Sequence, residues 1–166
     1  MTNTKFKIAI LTVSDKGSKG ERNDTAGPAI RDCLKEFAPE IAAYEIVPDE
    51  VQLISDKLIA YSDDLQCDIV FTTGGTGFSP RDVTPEATLS VIERAVPGIP
   101  EAMRVESLKI TPKAMLSRAV AGIRKKTLII NLSGSEKAVR EQLAVIIPVL
   151  KHAVDVLRGE GSECGR

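Results

Sequence analysis

Three short apolar runs, separated by helical patterns, constrain the fold of this chain more than any other feature. The runs are KIAILTV (Lys7–Val13), YEIV (44–47) and DIVFTT (68–73), and polar, Pro or Gly residues follow each of them. Helical patterns cover about 25–37 and 51–65 between them. Alternating strands and helices predict an α/β fold with a parallel sheet and right-handed crossovers. The first run is almost continuously apolar, which predicts that helices cover both faces of the sheet.

The second half of the chain continues this pattern. The remaining predicted elements are helices over 97–108 and from Ser135 onward, and strands over 119–123 and 127–131. Thr84 and Thr111 each precede a proline, which predicts an N-cap followed by Pro at the first helical position. Lys125 and Lys126 lie between the last two strands, where we expect a hairpin turn. Apolar residues recur every third or fourth position in the last helix, and Pro148 predicts a kink there.

Length and composition indicate one globular domain. The chain has 166 residues, of which 43% are hydrophobic and 27% are charged, values that are ordinary for a soluble domain with a core of its own. We predict that the domain covers residues 1–158. The segment 159–166, GEGSECGR, is predicted to be a disordered tail.

Charge and cysteine content exclude several classes of protein. The 22 basic and 23 acidic residues nearly cancel, unlike the basic footprint of a nucleic-acid-binding protein. No window is apolar enough for a transmembrane helix, and the polar N-terminus does not resemble a signal peptide. Three scattered cysteines argue against disulfides or a zinc site and predict a reducing, cytoplasmic location. The one histidine, His152, lies off the apolar stripe of the last helix, so we expect no histidine base.

The strongest local signal for a binding site follows the third apolar run, in the sequence Thr-Thr-Gly-Gly-Thr-Gly at 72–77. Glycines accept positive φ and let other groups approach the backbone, and successive exposed N–H groups in such a turn bind phosphate oxygens. No Gly-Lys-Ser/Thr follows, so the loop is not a Walker A motif. A plain tight turn is the alternative. We assign phosphate or nucleotide binding to Thr73, Gly74, Gly75, Thr76 and Gly77.

Polar residues also follow the other predicted strands. Ser14 and Asp15 come directly after the first run, Asp49 comes two residues after the second, and Asp82 precedes a predicted helix start. Because the carboxyl ends of parallel strands share one edge, we expect these residues to converge there, where open α/β sheets bind ligands. Two carboxylates beside a phosphate-binding loop suit Mg²⁺. Each residue has a structural alternative as a helix cap or turn residue.

Another polar group lies later in the chain. Ser135 is predicted to cap the last helix, whose first turn then offers free N–H groups to an anion. Lys137 in that turn would pair with a phosphate; alternatively, it is a solvated surface lysine. Arg81 and Arg118 are further candidates for balancing negative charge, and the sequence does not decide among these three cations.

These residues occur in stretches that resemble the MogA/MoaB family, the molybdopterin adenylyltransferases of molybdenum cofactor synthesis. The stretches are LTVSDKGSKGERNDTAGPAI (11–30), VPDE (47–50), DIVFTTGGTGFSPRDVTPEAT (68–88) and VPGIPEAMRVESLKITPKAMLSRAVAGIRKKTLIINLSGS (96–135). The family often has Asn-Leu-Pro-Gly where this chain has Asn-Leu-Ser-Gly at 131–134. Ser leaves that turn freer than Pro would.

The resemblance implies a three-layer α/β/α sandwich with a mostly parallel sheet, assembled as a homotrimer. It implies transfer of AMP from ATP to the molybdopterin phosphate, with Mg²⁺ as cofactor and possible hand-over of the product to the molybdenum insertase. Asp49 and Asp82 match the family's catalytic aspartates, which we also assign to the metal. The residues assigned to pterin binding are Ser14, Ser107, Ser135 and Lys137. Three alternatives stay open: a non-catalytic molybdopterin carrier, an insertase-like domain that acts on adenylated pterin, and an inactive trimer that serves as an inert scaffold.

Overall fold

A mixed sheet lies at the centre of the molecule in the computed structural model, which describes residues 5–160. Its strands within that range are β1 (Lys7–Val13), β2 (Glu40–Val47), β3 (Ile69–Thr73), β4 (Arg94–Ala95), β5 (Ala121–Arg124) and β6 (Thr127–Leu132). They are arranged in the order β2-β1-β3-β6-β5-β4. The first four strands in that order are mutually parallel, whereas β5 runs antiparallel to both β6 and β4. The carboxyl ends of β2, β1, β3 and β6 therefore share one edge.

Helices cover both faces of this sheet. The helices are α1 (Asp15–Ser18), α2 (Ala26–Cys33), α3 (Val51–Ile59), α4 (Thr84–Val91), α5 (Gly98–Leu108) and α6 (Glu136–Arg158). On one face, α2, α5 and α6 pack on side chains such as Ile10 and Phe71; on the other, α3 and α4 pack on Leu11 and Val70. Successive residues of a strand point to opposite faces, so an apolar run supplies both cores. The three-layer α/β/α sandwich predicted from the sequence is confirmed.

Several predicted boundaries are wrong by a few residues. β2 begins at Glu40 rather than at residue 44. Its first half reads EIAA, and Ala and Glu are uncommon in strands, so the sequence gives a strand signal only from Tyr44 onward. The helical pattern over 25–37 divides into α2 and a 3₁₀ turn over Lys35–Phe37. The pattern over 51–65 is α-helical only to Ile59 and continues as a π-helical turn.

Helix starts follow the predictions in two cases and differ in one. Thr111 and Ser135 accept hydrogen bonds from backbone N–H groups of the turns that they precede. Thr84 was predicted as an N-cap, but it is the first residue of α4, and its hydroxyl donates to the Gly74 carbonyl at 2.9 Å. That bond ties α4 to the loop after β3. The predicted hairpin turn lies at Lys125 and Lys126, between β5 and β6.

The predicted domain and tail extend beyond the residues that the structure describes. Residues 1–4 and 161–166 lie outside the described range, and most of the predicted tail over 159–166 falls there. Over residues 5–160, no helix combines the length and the apolar character needed to cross a lipid bilayer. The helix α6 continues through Pro148 and ends at Arg158, with Gly159 as its left-handed C-cap.

Candidate functional site

Loops from four strand ends surround a cavity of about 630 Å³ at the carboxyl edge of the sheet. The loops follow β1, β2, β3 and β6, so residues far apart in sequence meet there. The lining residues that the sequence had nominated are Ser14, Asp49, Thr73, Gly74, Gly75, Asp82 and Ser135. Five of them were predicted to converge on this edge and do so: Ser14, Asp49, Gly74, Gly75 and Asp82. The chemical roles of all seven stay predictions. We call this space the first cavity.

The loop after β3 is held close to its neighbours by two glycines with positive φ. Gly74 has φ +94°, and a Cβ there would lie 2.3 Å from the Val13 carbonyl oxygen. Gly75 has φ +67°, and a Cβ there would lie 2.3 Å from Thr84 Oγ1 and 3.2 Å from Asp49 Oδ1. Only glycine suits such positions without strain. The loop backbone can therefore lie directly against β1, α4 and the Asp49 carboxylate.

The hydroxyls of Thr73 and Thr84 hold this loop in place and so are not free to donate to a ligand. Thr73 is 1% exposed, and its hydroxyl donates to the Ser133 carbonyl at 2.6 Å. Thr84 donates to the Gly74 carbonyl in the same way. The sequence analysis assigned Thr73 to phosphate or nucleotide binding, whereas in the structure its hydroxyl links β3 to the loop after β6.

Asp49 and Asp15 exchange reciprocal hydrogen bonds between the loops after β1 and β2. The Asp15 N–H donates to Asp49 Oδ2 at 2.8 Å, and the Asp49 N–H donates to Asp15 Oδ1 at 3.0 Å. Burial raises the pKa of the Asp49 carboxyl, and the negative charges of Asp15 and Asp82 act in the same direction. Asp49 is thus a partly buried carboxylate whose charged form a nearby cation would stabilise.

Arg81 is bound to carboxylates rather than directed into the cavity. Its Nε and Nη2 donate to the two oxygens of Asp15 at 3.0 and 2.9 Å, and Nη2 also donates to Glu50 Oε1 at 3.0 Å. These hydrogen bonds hold the pKa of Asp15 at about 2. Arg81 does not line the first cavity, and its guanidinium is engaged by the carboxylates of Asp15 and Glu50.

Asp82 lies on the same loop as the glycines, and Arg118 fixes that loop from outside. Asp82 Oδ2 accepts a hydrogen bond from the Ser79 N–H at 3.0 Å. The Arg118 guanidinium donates to the carbonyls of Gly77 and Asp82 at 2.8 and 2.6 Å and also pairs with Glu86. Arg118 therefore shapes the loop, and its donors are engaged by protein groups.

A second cavity of about 470 Å³ adjoins the first and shares Gly74, Gly75, Asp82, Gly134 and Ser135 with it. Three further nominated residues, Thr76, Gly77 and Ser107, line the second cavity only. The nominated residues thus divide between two adjoining spaces, with Asp82 and the glycine backbone at the boundary. Two adjoining cavities can hold the two ligands of a reacting pair.

The cations that line the cavities are not those nominated from the sequence. Arg22 lines the first cavity together with four carboxylates, those of Asp24, Asp49, Asp82 and Glu136. The second cavity is lined by Arg104 and Lys113. No sequence signal distinguishes these three cations from surface residues, because only the tertiary fold brings them to the site.

Asp24 is a half-buried residue of the first cavity that the sequence analysis did not nominate. Its Oδ1 accepts from the N–H groups of Ala26 and Gly27, both at 3.1 Å, and so caps α2. Its Oδ2 accepts from the Thr12 hydroxyl at 2.7 Å and from the Tyr44 hydroxyl. An Asp two residues before the start of a helix is a usable sequence signal for such a cap, but the sequence does not indicate the bonds to β1 and β2.

The turn after β6 is anchored although it lacks the family's proline. The Ser133 N–H donates to Gln142 Oε1 at 2.9 Å, and Ser133 Oγ accepts from Gln142 Nε2 at 2.8 Å. A proline could make neither bond. Ser135 caps α6 through the Ala138 N–H at 3.2 Å. Lys137 points away: its side chain is 82% exposed, lies 4.0 Å from Glu141 and lines neither cavity.

The donor set suits a hard cation that takes most of its ligands from elsewhere. Within residues 5–160, no three His, Cys, Asp or Glu side chains are grouped to hold a metal ion. The two aspartates, Asp49 and Asp82, line the first cavity and are close enough for the charge of Asp82 to raise the pKa of Asp49. Mg²⁺ typically binds through one or two carboxylates, with phosphates and water as its other ligands. The residues present fit that ion.

Comparison with known proteins identifies relatives of this chain. Residues 9–152 match the model of the family described as "probable molybdopterin binding domain". The chain is 49% identical over 154 residues to the molybdopterin adenylyltransferase of Helicobacter pylori, over 92% of this chain and 88% of that protein. It is 42% identical over 140 residues to the molybdopterin adenylyltransferase of Escherichia coli, over 83% of this chain and 72% of that protein.

A solved structure extends the likeness to the fold. The crystal structure of the molybdopterin biosynthesis enzyme MoaB from Thermus thermophilus superposes with a TM-score of 0.88 at 51% identity, covering 93% of this chain and 97% of that one. The match over residues 9–152 contains every nominated site residue. The chain belongs to the family of the "probable molybdopterin binding domain", together with the MogA and MoaB proteins that its motifs resemble.

Proposed function

We propose that this protein is a molybdopterin adenylyltransferase, which transfers AMP from ATP to the terminal phosphate of molybdopterin and releases pyrophosphate. One observation carries the proposal: Asp49 from the loop after β2, and Asp82 with the glycines from the loop after β3, line one cavity that adjoins a second. An enzyme that joins two phosphorylated substrates needs two adjoining spaces with phosphate groups at their boundary. The 49% identity to an adenylyltransferase over most of both chains supports the same activity.

In the proposed reaction, a terminal phosphate oxygen of molybdopterin attacks the α-phosphorus of ATP. A new P–O bond forms there, the bond from the α-phosphorus to the bridging oxygen breaks, and pyrophosphate leaves with that electron pair. The attacking phosphate is already an anion, so no side-chain base is needed. The work of the protein is then to position the two phosphates and to offset their charge.

The Gly74 N–H donates to the Leu132 carbonyl at 3.2 Å, so the backbone N–H groups that would bind the phosphates are those of Gly75, Thr76 and Gly77. Asp49 and Asp82 would hold Mg²⁺, which when bound supplies positive charge against the polyphosphate. The lining of four carboxylates and one guanidinium supports this assignment, since a bare polyphosphate would be repelled there. Arg22 is the lining cation that would contact ATP phosphates.

The second cavity would hold molybdopterin. Its lining cations, Arg104 and Lys113, suit an anionic ligand, and Ser107 and Ser117 offer hydroxyls for a polar heterocycle. Ser14 and Ser135 line the first cavity, where they would contact the phosphate end of either substrate. Lys137 contributes nothing to this arrangement in its observed position.

A pyrophosphate-release assay tests the proposed function. The purified protein is incubated with Mg²⁺ and ATP, with and without molybdopterin. Released pyrophosphate is quantified, and the mass of the pterin product is measured by mass spectrometry. We expect pyrophosphate only when both substrates are present, together with a product heavier by one adenylyl group. A carrier would bind molybdopterin without releasing pyrophosphate. An insertase-like domain would instead act on adenylated pterin supplied with molybdate, and either result would refute the proposal.

Three further features are proposed on the family resemblance. The protein would assemble as a homotrimer, work in the cytoplasm and hand adenylated molybdopterin to a molybdenum insertase. Light scattering coupled to gel filtration measures the first directly: a mass of three chains supports it, and a monomer contradicts it.

A further inference from the structure

Arg81 connects the loops that carry the two aspartates of the proposed site. It is the residue immediately before Asp82, and its side chain crosses to Asp15, whose carboxylate accepts the Asp49 N–H. One side chain thus spans from the chain segment of Asp82 to the partner of Asp49. The same guanidinium reaches Glu50, the residue after Asp49.

From this geometry we infer that Arg81 is a positioning residue that sets the spacing between Asp49 and Asp82 by clamping Asp15. The inference deepens the proposed function and rests on it for its effect on turnover. Arg81 lines neither cavity, so it does not touch substrate. Its action goes through Asp15 and the reciprocal Asp15–Asp49 hydrogen bonds.

The guanidinium fork is what the clamp requires. Nε and Nη2 engage both oxygens of Asp15, which fixes the carboxylate plane as well as its position. A lysine ammonium would keep the charge but not this two-point geometry. A role in charge balance alone would be served by either residue, so an Arg-to-Lys change separates the two explanations.

Stability and turnover should respond differently at this position. The Arg81 side chain is 53% exposed, and exposed ion pairs contribute little to stability. Misplacing a catalytic group by about 1 Å, in contrast, costs roughly 100-fold in rate. For Arg81→Met we expect kcat for pyrophosphate release to fall about 10- to 100-fold, with a change in Tm below about 3 °C and KM for ATP within about twofold of the unmodified protein, because Arg81 touches no substrate.

Arg124 provides a matched control. It also binds an aspartate with two guanidinium nitrogens, at 3.0 and 2.7 Å from Asp63, but it lies where β5 turns into β6 and lines neither cavity. Its side chain is only 20% exposed. Arg124→Met should therefore lower Tm and leave kcat unchanged, the opposite of the result expected for Arg81→Met.

Two further variants test whether Arg81 acts on Asp49 through Asp15. The kcat of Arg81→Lys should stay within about threefold of that of Arg81→Met, because lysine cannot make the two-point hydrogen bonding to Asp15. A kcat equal to that of the unmodified protein would mean that the charge of Arg81 suffices and would overturn the inference. Asp15→Asn should also lower kcat, and the double variant should be no slower than the slower single one, as expected for residues that act in series. Multiplicative losses would overturn the action through Asp15.

Amide hydrogen exchange tests the clamp without relying on catalysis. The N–H groups of Asp15 and Asp49 should exchange at least tenfold faster in Arg81→Met than in the unmodified protein, since the local constraint on both loops is lost. Unchanged exchange, or unchanged kcat in an active protein, would overturn the inference. An unmodified protein that releases no pyrophosphate would refute the proposed function instead, and the exchange rates would still decide whether Arg81 holds the two loops.

Discussion

Gly75 lies at the point where the glycine loop, α4 and Asp49 come closest. An alanine in its place would have to adopt a left-handed backbone conformation, which costs about 1–2 kcal/mol. Its Cβ would also lie 2.3 Å from Thr84 Oγ1. We expect Gly75→Ala to lower the free energy of unfolding by more than that backbone cost alone and to reduce pyrophosphate release strongly. Urea unfolding measures the first effect.

Gly20 is the matched control for this substitution. It has a similar φ of +73°, but a Cβ there would meet nothing within 4 Å. Gly20→Ala should therefore show the backbone cost without the steric clash. Equal losses in the two variants would mean that the contact with Thr84 and Asp49 does not constrain the loop.

Among individual residues, the sequence predicts those that follow strands and misses those that only the tertiary fold brings to the site. Asp49, Asp82 and the glycines follow strands, and the edge of a parallel sheet collects such residues. Arg22, Arg104 and Lys113 come from a loop, a helix and a 3₁₀ turn that no local pattern links to that edge. Lys137 was nominated for its place in the first turn of α6, but its side chain extends into solvent.

Among the elements, α6 contributes the longest continuous apolar stripe. Its residues Val139, Leu143, Ile146, Leu150 and Val154 are all buried against the sheet. Leu143 is 0% exposed, so Leu143→Ala should lower the free energy of unfolding by about 2–5 kcal/mol, as expected for a new cavity in the core. Val149, on the outer side of the same helix, is 51% exposed, and Val149→Ala should change it by less than about 0.5 kcal/mol. Similar losses in the two variants, measured by urea unfolding, would contradict the assigned packing face.

Elements with strong apolar patterns are the ones that the sequence predicts best. The bounds of β1 agree with the predicted run, because all its positions but the first are buried in the centre of the sheet. The two-residue strand β4 has no pattern of its own, since both residues are exposed and only pairing with β5 defines it. The π-helical turn over Ala60–Asp64 keeps helical composition, so sequence periodicity does not separate it from α3.

For the whole molecule, the proposed function predicts stabilisation by nucleotide. A ligand that binds only the folded state at 100 times its Kd adds about 2.7 kcal/mol, or roughly 5–10 °C in Tm for a domain of this size. We expect ATP with Mg²⁺ to raise Tm in this way, and ATP with EDTA to raise it much less, because four carboxylates line the first cavity. An inert scaffold would show no shift under either condition.

The central claim is that Asp49 and Asp82 act together on the phosphates, and the rate of AMP transfer by their asparagine variants tests it most directly. Asp56→Asn is the control, because Asp56 is exposed on α3 and its carboxylate bonds only to Gln52 among the described side chains. With Mg²⁺, ATP and molybdopterin, we predict that Asp49→Asn and Asp82→Asn each release pyrophosphate at least about 100-fold more slowly, while Asp56→Asn matches the unmodified protein and all three remain folded. Near-normal rates in either of the first two variants would contradict the account.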